Sequence, residues 1–344
     1  MPSPTPAASP TPAPAGTPTA GPTSPTGPSP GRPGPNAPGP PLPAILGTIG
    51  DSMTRAANVG LAGPGDNPEH SWAVGTAADD GVDSLLERLR ALGADPLVAD
   101  EAISGASMSQ APAMAAGIVA AARDMPAAGP ALVTILMGAN DACARVSAGM
   151  TTVDSFRHDL AETLAILRDG TTTEGGATVP GLPAGSTVVV LSVPDVARLR
   201  SIPAPSGLAE AARALFCPNL LAVDASAAEV DAARIRIEAY NAALATACEA
   251  VEARDGLAGR LHCRHDGGLL FQTPFEADDV SRLDGFHPSV AGQARIAELA
   301  WRIGQWSASG PEPGGLSSVA LPGSWAGQAA TARPGEVGSP APGP

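Results

Sequence analysis

Continuous apolar runs bounded by Gly and Pro, set between stretches whose apolar residues recur at helical spacing, constrain this chain most. The runs "AILGTIG" (44–50), "ADPLVADEAIS" (94–104), "ALVTILMG" (131–138) and "STVVVLSVP" (186–194) read as strands, the last two buried on both faces. "DSLLERLRAL" (83–92), "QAPAMAAGIVAAARD" (110–124) and "TTVDSFRHDLAETLAILRDG" (151–170) read as helices, and two more are expected at about 225–254 and 288–303. Strands that alternate with helices run parallel and are joined by right-handed crossovers. This predicts an α/β fold, a three-layer α/β/α sandwich. A fifth strand is expected within 259–271. Aromatic residues make up only 3% of the chain, so the core must be aliphatic.

The ends are made of different material. From Met1 to Pro43 almost every residue is Pro, Ala, Ser, Thr or Gly, and the same composition returns from 307 to 344 apart from Trp325 and a few aliphatics. Such segments cannot bury enough apolar surface to offset their ordering entropy. One domain, 44–306, is therefore expected between two disordered tails. The net charge is −14 and all 20 basic residues are Arg, which disfavours nucleic acid as a partner. No run of eighteen apolar residues occurs, so no stable membrane insertion is expected. The four cysteines show no Cys-x-x-Cys spacing, which argues against zinc and permits two disulfides, Cys143–Cys217 and Cys248–Cys263. The second pair is the more local, each bridge would contribute about 3–5 kcal/mol in the chain-entropy model, and buried free thiols are the alternative. Bridges would imply a secreted protein, although no basic segment followed by an apolar core marks an export signal.

Open parallel sheets bind ligands outside the carboxyl ends of their strands. There the chain places Gly50-Asp51-Ser52 after the first strand, Ser104-Gly105-Ala106 after the second and Gly138-Ala139-Asn140-Asp141 after the third. "LDGFHPSVAGQ" (283–293) adds Asp284 and His287, three residues apart and just before the last helix. A hydroxyl, an imidazole with a carboxylate beside it and several amide donors are the inventory for acyl transfer. Serine is a poor nucleophile until a base takes its proton, and an imidazole can do so when its other ring nitrogen is held. The negative charge that develops on the carbonyl oxygen needs donors already in place: the backbone amides of Ser52 and Gly105 and the side-chain amide of Asn140. Losing one such donor typically costs about 2.7–4 kcal/mol of transition-state stabilisation.

"GDSM" (50–53), Gly105, "GAND" (138–141) and "DGFHP" (284–288) follow the order of the four blocks of the SGNH hydrolases, the GDSL esterases and lipases. "SWAVG" (71–75), "SVPDVARL" (192–199), "YN" (240–241) and "FHPSVAGQARIAELAW" (286–301) extend the resemblance over most of 44–303. The chain resembles the branch of secreted actinobacterial and phospholipase-B-like members. The resemblance implies a flavodoxin-like five-stranded parallel sheet, no metal and no cofactor. It also implies catalytic Ser52, His287 and Asp284, with an oxyanion hole of Ser52, Gly105 and Asn140. Met53 departs from the leucine that names the family, a conservative exchange. The expected activity is serine-dependent hydrolysis of carboxylic esters by a monomer. Substrates would be small-molecule or lipid esters, with selectivity set by loops such as 55–80 and 195–225. The rivals are a slow or inactive module that binds a cell-wall glycan or lipid, and a carbohydrate O-acetyl esterase.

Plainer readings compete at each position. Gly, Asp and Ser are ordinary turn residues, so Ser52 could be punctuation and Asp51 is better read as a turn residue than as a proton donor. Asp284 could cap the helix that Pro288 opens. His158 lies in a helical pattern and reads as solvent-facing, and a loop histidine such as His70 is as often merely exposed. His262 and His265 flank Cys263 without a carboxylate partner, too little for a metal site. Trp72 could line an acyl pocket or staple a loop to the core. The Gly-x-Ser-x-Gly elbow of the α/β-hydrolases is missing around Ser52.

Overall fold

The computed structural model describes residues 41–60, 63–124, 129–173 and 175–304. Nearly all of both expected tails, together with Trp306 and Trp325, lies outside these residues. The strands are β1 Ile45–Gly50, β2 Leu97–Asp100, β3 Ala131–Leu136, β4 Gly170–Thr172, β5 Thr178–Pro180, β6 Ser186–Val190 and β7 Leu261–His265. The longer helices are α1 Leu85–Ala91, α2 Ala111–Arg123, α4 Val153–Asp169, α5 Gly207–Phe216, α7 Ala227–Val251 and α9 Val290–Gly304. Single turns form α3 Ala139–Ala142, α6 Pro218–Leu221 and α8 Leu269–Gln272.

Five strands form one parallel sheet in the order β2-β1-β3-β6-β7, and β4 and β5 form a separate antiparallel hairpin. This is the flavodoxin-like order, with the chain reversing direction across the sheet between β1 and β3. The crossover from β1 to β2 runs one way and those from β2 onward run the other. Right-handedness therefore puts α1 on one face and α2, α4 and α7 on the opposite one. The last helix, α9, returns to pack beside α1. Beneath both layers the β1 and β3 residues Ile45, Leu46, Ile49, Leu132, Val133 and Ile135 are fully buried, as continuous apolar runs require. Phe156 of α4 stacks on Tyr240 of α7 with ring centroids 4.2 Å apart.

Several elements differ in length from their sequence signals. β2 is four residues rather than eleven: it is an edge strand bonded only to β1, and its regular ladder ends at Asp100, which receives the Thr48 hydroxyl (2.5 Å) and Arg55 Nη1 (2.6 Å), while the Glu101 and Ile103 amides still reach the Thr48 and Gly50 carbonyls in an irregular continuation. Helix α5 and the β4–β5 hairpin arise in stretches whose Gly and Pro content reads as loop. Both cysteine pairs are disulfides: Cys143–Cys217 ties the turn after α3 to the end of α5, and Cys248–Cys263 ties α7 to β7. Trp72 is fully buried in the core, its carbonyl accepting from Leu85 N. Among the described residues no helix is long and apolar enough to cross a membrane.

Candidate active site

Strand β1 ends in a glycine because nothing larger fits. A Cβ on Gly50 would lie 2.2 Å from Thr54 Oγ1, so the chain can fold back over the strand end only if that carbon is missing. Asp51 then accepts from the Met53 amide (2.9 Å), which closes the turn and holds Ser52 at its apex, 9% exposed. Ser52 is 235 residues from His287 along the chain, yet its Oγ lies 2.9 Å from His287 Nε2. The other ring nitrogen, Nδ1, lies 2.6 Å from Asp284 Oδ2. Imidazole and carboxylate are both buried.

The Asp284 loop is built to aim these groups. Asp284 Oδ1 accepts from the amides of Phe286 (2.8 Å) and His287 (3.1 Å), while Gly285 takes a positive φ of 64° that a side chain would strain. Asp284 thus serves as both loop brace and ring partner. Burial alone would push its carboxyl up. The hydrogen bond and charge of His287, with the amide of Phe286 and Asn58 Nδ2, more than reverse that and hold it below the usual carboxylate range.

Two residues that sequence reasoning passed over join the halves of the site. Asn58, itself at φ 53°, donates from Nδ2 to Asp284 Oδ2 at 2.7 Å, so the oxygen that faces the imidazole is held from both sides. Gln293, fully buried near the start of α9, donates to the Met53 carbonyl (2.9 Å) and accepts from the Trp72 amide (3.0 Å), pinning the histidine's helix to the serine's turn. A glutamine on the buried stripe beside Ile296 and Ala297 is the signal that could have found it. Asn58 gave none, since its partner is 226 residues away.

Asn140 sits on α3 just after Gly138, whose φ of 125° and closeness to Val193 admit no side chain. Its Nδ2 donates to the Ala106 carbonyl (2.9 Å) and approaches Asp51 Oδ2 (3.4 Å). Ser52, Asn140 and His287 line one cleft of about 720 Å³, open mouth included. Gly105, expected as an oxyanion donor, does not line it: it occupies an exposed turn at φ 84°, and the carbonyl that holds Asn140 is that of its neighbour Ala106. Away from Ser52 the cleft walls are mostly apolar, with Val196, Leu199, Ile202, Leu270, Phe275 and Ile296 among them, and Asp195, Arg198, Thr273 and Asp279 interrupt them.

The remaining histidines lie elsewhere. His70 pairs with Asp80 (2.7 Å), and, contrary to the sequence reading, carboxylates stand beside the histidines that flank Cys263: His262 pairs with Glu252 (3.2 Å) and His265 lies 3.5 Å from Asp266. His158 is exposed.

A serine hydroxyl, an imidazole and a carboxylate in line, beside an apolar cleft at the reversal point of a parallel sheet, have the arrangement of a hydrolase centre. The family model described as GDSL-like Lipase/Acylhydrolase matches residues 46–300. No curated protein matches the chain. Among solved structures, the chain is similar to the psychrotrophic esterase EstA of Pseudoalteromonas sp., at 14% identity and a TM-score of 0.38, covering 76% of this chain and 96% of that one. It is also similar to a catalytic mutant of Axe2, an acetylxylan esterase of Geobacillus stearothermophilus, at 16% identity and a TM-score of 0.42, covering 75% and 93%. A family 3 carbohydrate esterase of Clostridium thermocellum shows 13% identity and a TM-score of 0.37, covering 76% and 94%. Likenesses this distant say nothing of the substrate. The family match spans the sheet and every block of the site, and the chain belongs to the GDSL (SGNH) hydrolases, a family of ester-acting hydrolases.

Proposed function

We propose that this chain is a serine esterase that cleaves carboxylic esters with apolar acyl groups through an acyl-enzyme. The single observation that carries the reading is the hydrogen-bonded line from Ser52 Oγ through His287 to Asp284, at 2.9 and 2.6 Å. Ser52 Oγ attacks the ester carbonyl as His287 Nε2 takes its proton, and the charge on the carbonyl oxygen is met by the Ser52 amide and by Asn140. His287 returns the proton to the departing alcohol, leaving the acyl group on Ser52. Water then attacks with the same base, and the carboxylic acid leaves. Asp284 orients the imidazole and stabilises its cationic form.

The apolar walls favour an acyl chain over an acetyl group, and with it the phospholipase-B-like branch over the O-acetyl esterases. Two disulfides fit a protein that works outside the cell. Its fold would be one domain over 44–306, with the Pro-rich ends as spacers. A series of nitrophenyl esters tests the substrate. Each methylene that enters the cleft is worth up to about 0.8 kcal/mol, so kcat/KM should rise from acetate through butyrate to octanoate. A maximum at acetate would make the protein a deacetylase.

A further inference from the structure

Helix α5 reverses the usual amphipathic arrangement. Leu208, Ala211 and Leu215, at positions i, i+3 and i+7, make one stripe that faces solvent, the two leucines 77% and 75% exposed. The inward side carries Arg213, only 6% exposed. Its guanidinium donates to three backbone carbonyls, those of Gly285 (2.5 Å), Leu199 (3.1 Å) and Ile202 (2.7 Å). Burial lowers the Arg213 pKa, against the pull of Asp284 and Glu210.

The outward stripe does not belong to a loose segment. Ser206 caps the first turn through the Ala209 amide (3.1 Å), and Cys217 bonds the far end to Cys143. At that end the Phe216 ring stands edge-on to His287 and tilted against Phe286, each 5.4 Å away. The helix is therefore fixed to the catalytic loop with its leucines held out. Such a face marks a contact surface.

A second copy of the chain would need about 800 Å² from each partner. A helix of ten residues, about 15 Å long, with two leucines and an alanine on its stripe supplies only a small part of that. A lipid surface needs no complementary shape, only an apolar face that enters the boundary between headgroups and acyl chains. Charge narrows the choice of lipid. The chain carries −14 with no Lys, and the one solvent-facing charge on α5 is Glu210, so anionic headgroups would repel it.

We propose that α5 docks the protein on a zwitterionic lipid surface through Leu208 and Leu215, beside the cleft that receives the acyl chain. The purpose given to the surface rests on the esterase reading, but its test does not. The full chain carrying Ser52→Ala is sedimented with phosphatidylcholine vesicles, with and without added phosphatidylserine, and compared with the same chain also carrying Leu208→Gln and Leu215→Gln. Binding to phosphatidylcholine should fall about tenfold with the glutamines, and phosphatidylserine should weaken the parent's binding. In the Ser52 background, kcat/KM on soluble nitrophenyl butyrate should not change with the glutamines. Should the double variant misfold, Leu208→Gln alone carries the comparison. Three results overturn the proposal: no vesicle binding by the parent, equal binding by both forms, or a parent dimer that the glutamines dissociate. Absence of butyrate hydrolysis would instead strike the esterase reading and leave the vesicle result standing.

Discussion

Replacing Ser52 with alanine is expected to lower kcat on a nitrophenyl ester by about ten-thousand-fold or more, with KM little changed. The hydroxyl removed is the one 2.9 Å from His287 Nε2, and the next candidate would have to occupy the same cleft with its own base. His287→Ala should cost about as much, and the two changes together hardly more than either alone, because a nucleophile without its base and a base without its nucleophile fail at the same step. Single-turnover kinetics on purified variants, each with an unchanged circular dichroism spectrum, checks the expectation. Two losses that multiply would mean that the residues act separately.

The second large effect is on stability and depends on pH. Asp51 is almost wholly buried, and its pKa is raised from an ordinary 3.8 to about 7, chiefly by burial, against the opposing pull of the Met53 amide and of His287. Between those values the unfolded chain has released the proton and the folded chain has kept it. The folded state then binds more protons, so this group's contribution to stability falls as pH rises from about 4 and is fully lost above about 7. Asp51→Asn cannot ionise. Relative to the parent it should gain on the order of 4 kcal/mol between pH 4 and pH 8, read from urea unfolding at a series of pH values. Parallel stability curves for the two proteins would mean that Asp51 ionises normally in the folded state.

The order of elements is legible in the sequence because parallel strands buried on both faces must be continuous apolar runs, as 131–136 and 186–190 are, and because right-handed crossovers leave few ways to connect them. Strand ends are likewise legible where a glycine is forced, as at Gly50 and Gly138. Helix α5 is not, because its outward leucines and inward Arg213 invert the pattern by which a surface helix is recognised, and the short stretch lies between prolines. Asn58 and Gln293 are hidden for another reason. Asn58 reaches the site through one hydrogen bond and Gln293 through two, all to residues more than two hundred positions away, and no local pattern records such partners. The pairing of Ser52 with His287 is equally remote, but there the residue types state the chemistry. A serine and a histidine beside an aspartate at strand and helix ends have few uses other than acyl transfer.

The part played by Ser52 is tested most directly by the mass of the intact chain after exposure to diethyl nitrophenyl phosphate. One diethylphosphoryl group should be added, mapped to Ser52 and absent from Ser52→Ala. An unmodified chain, or a label carried by another residue, would contradict it.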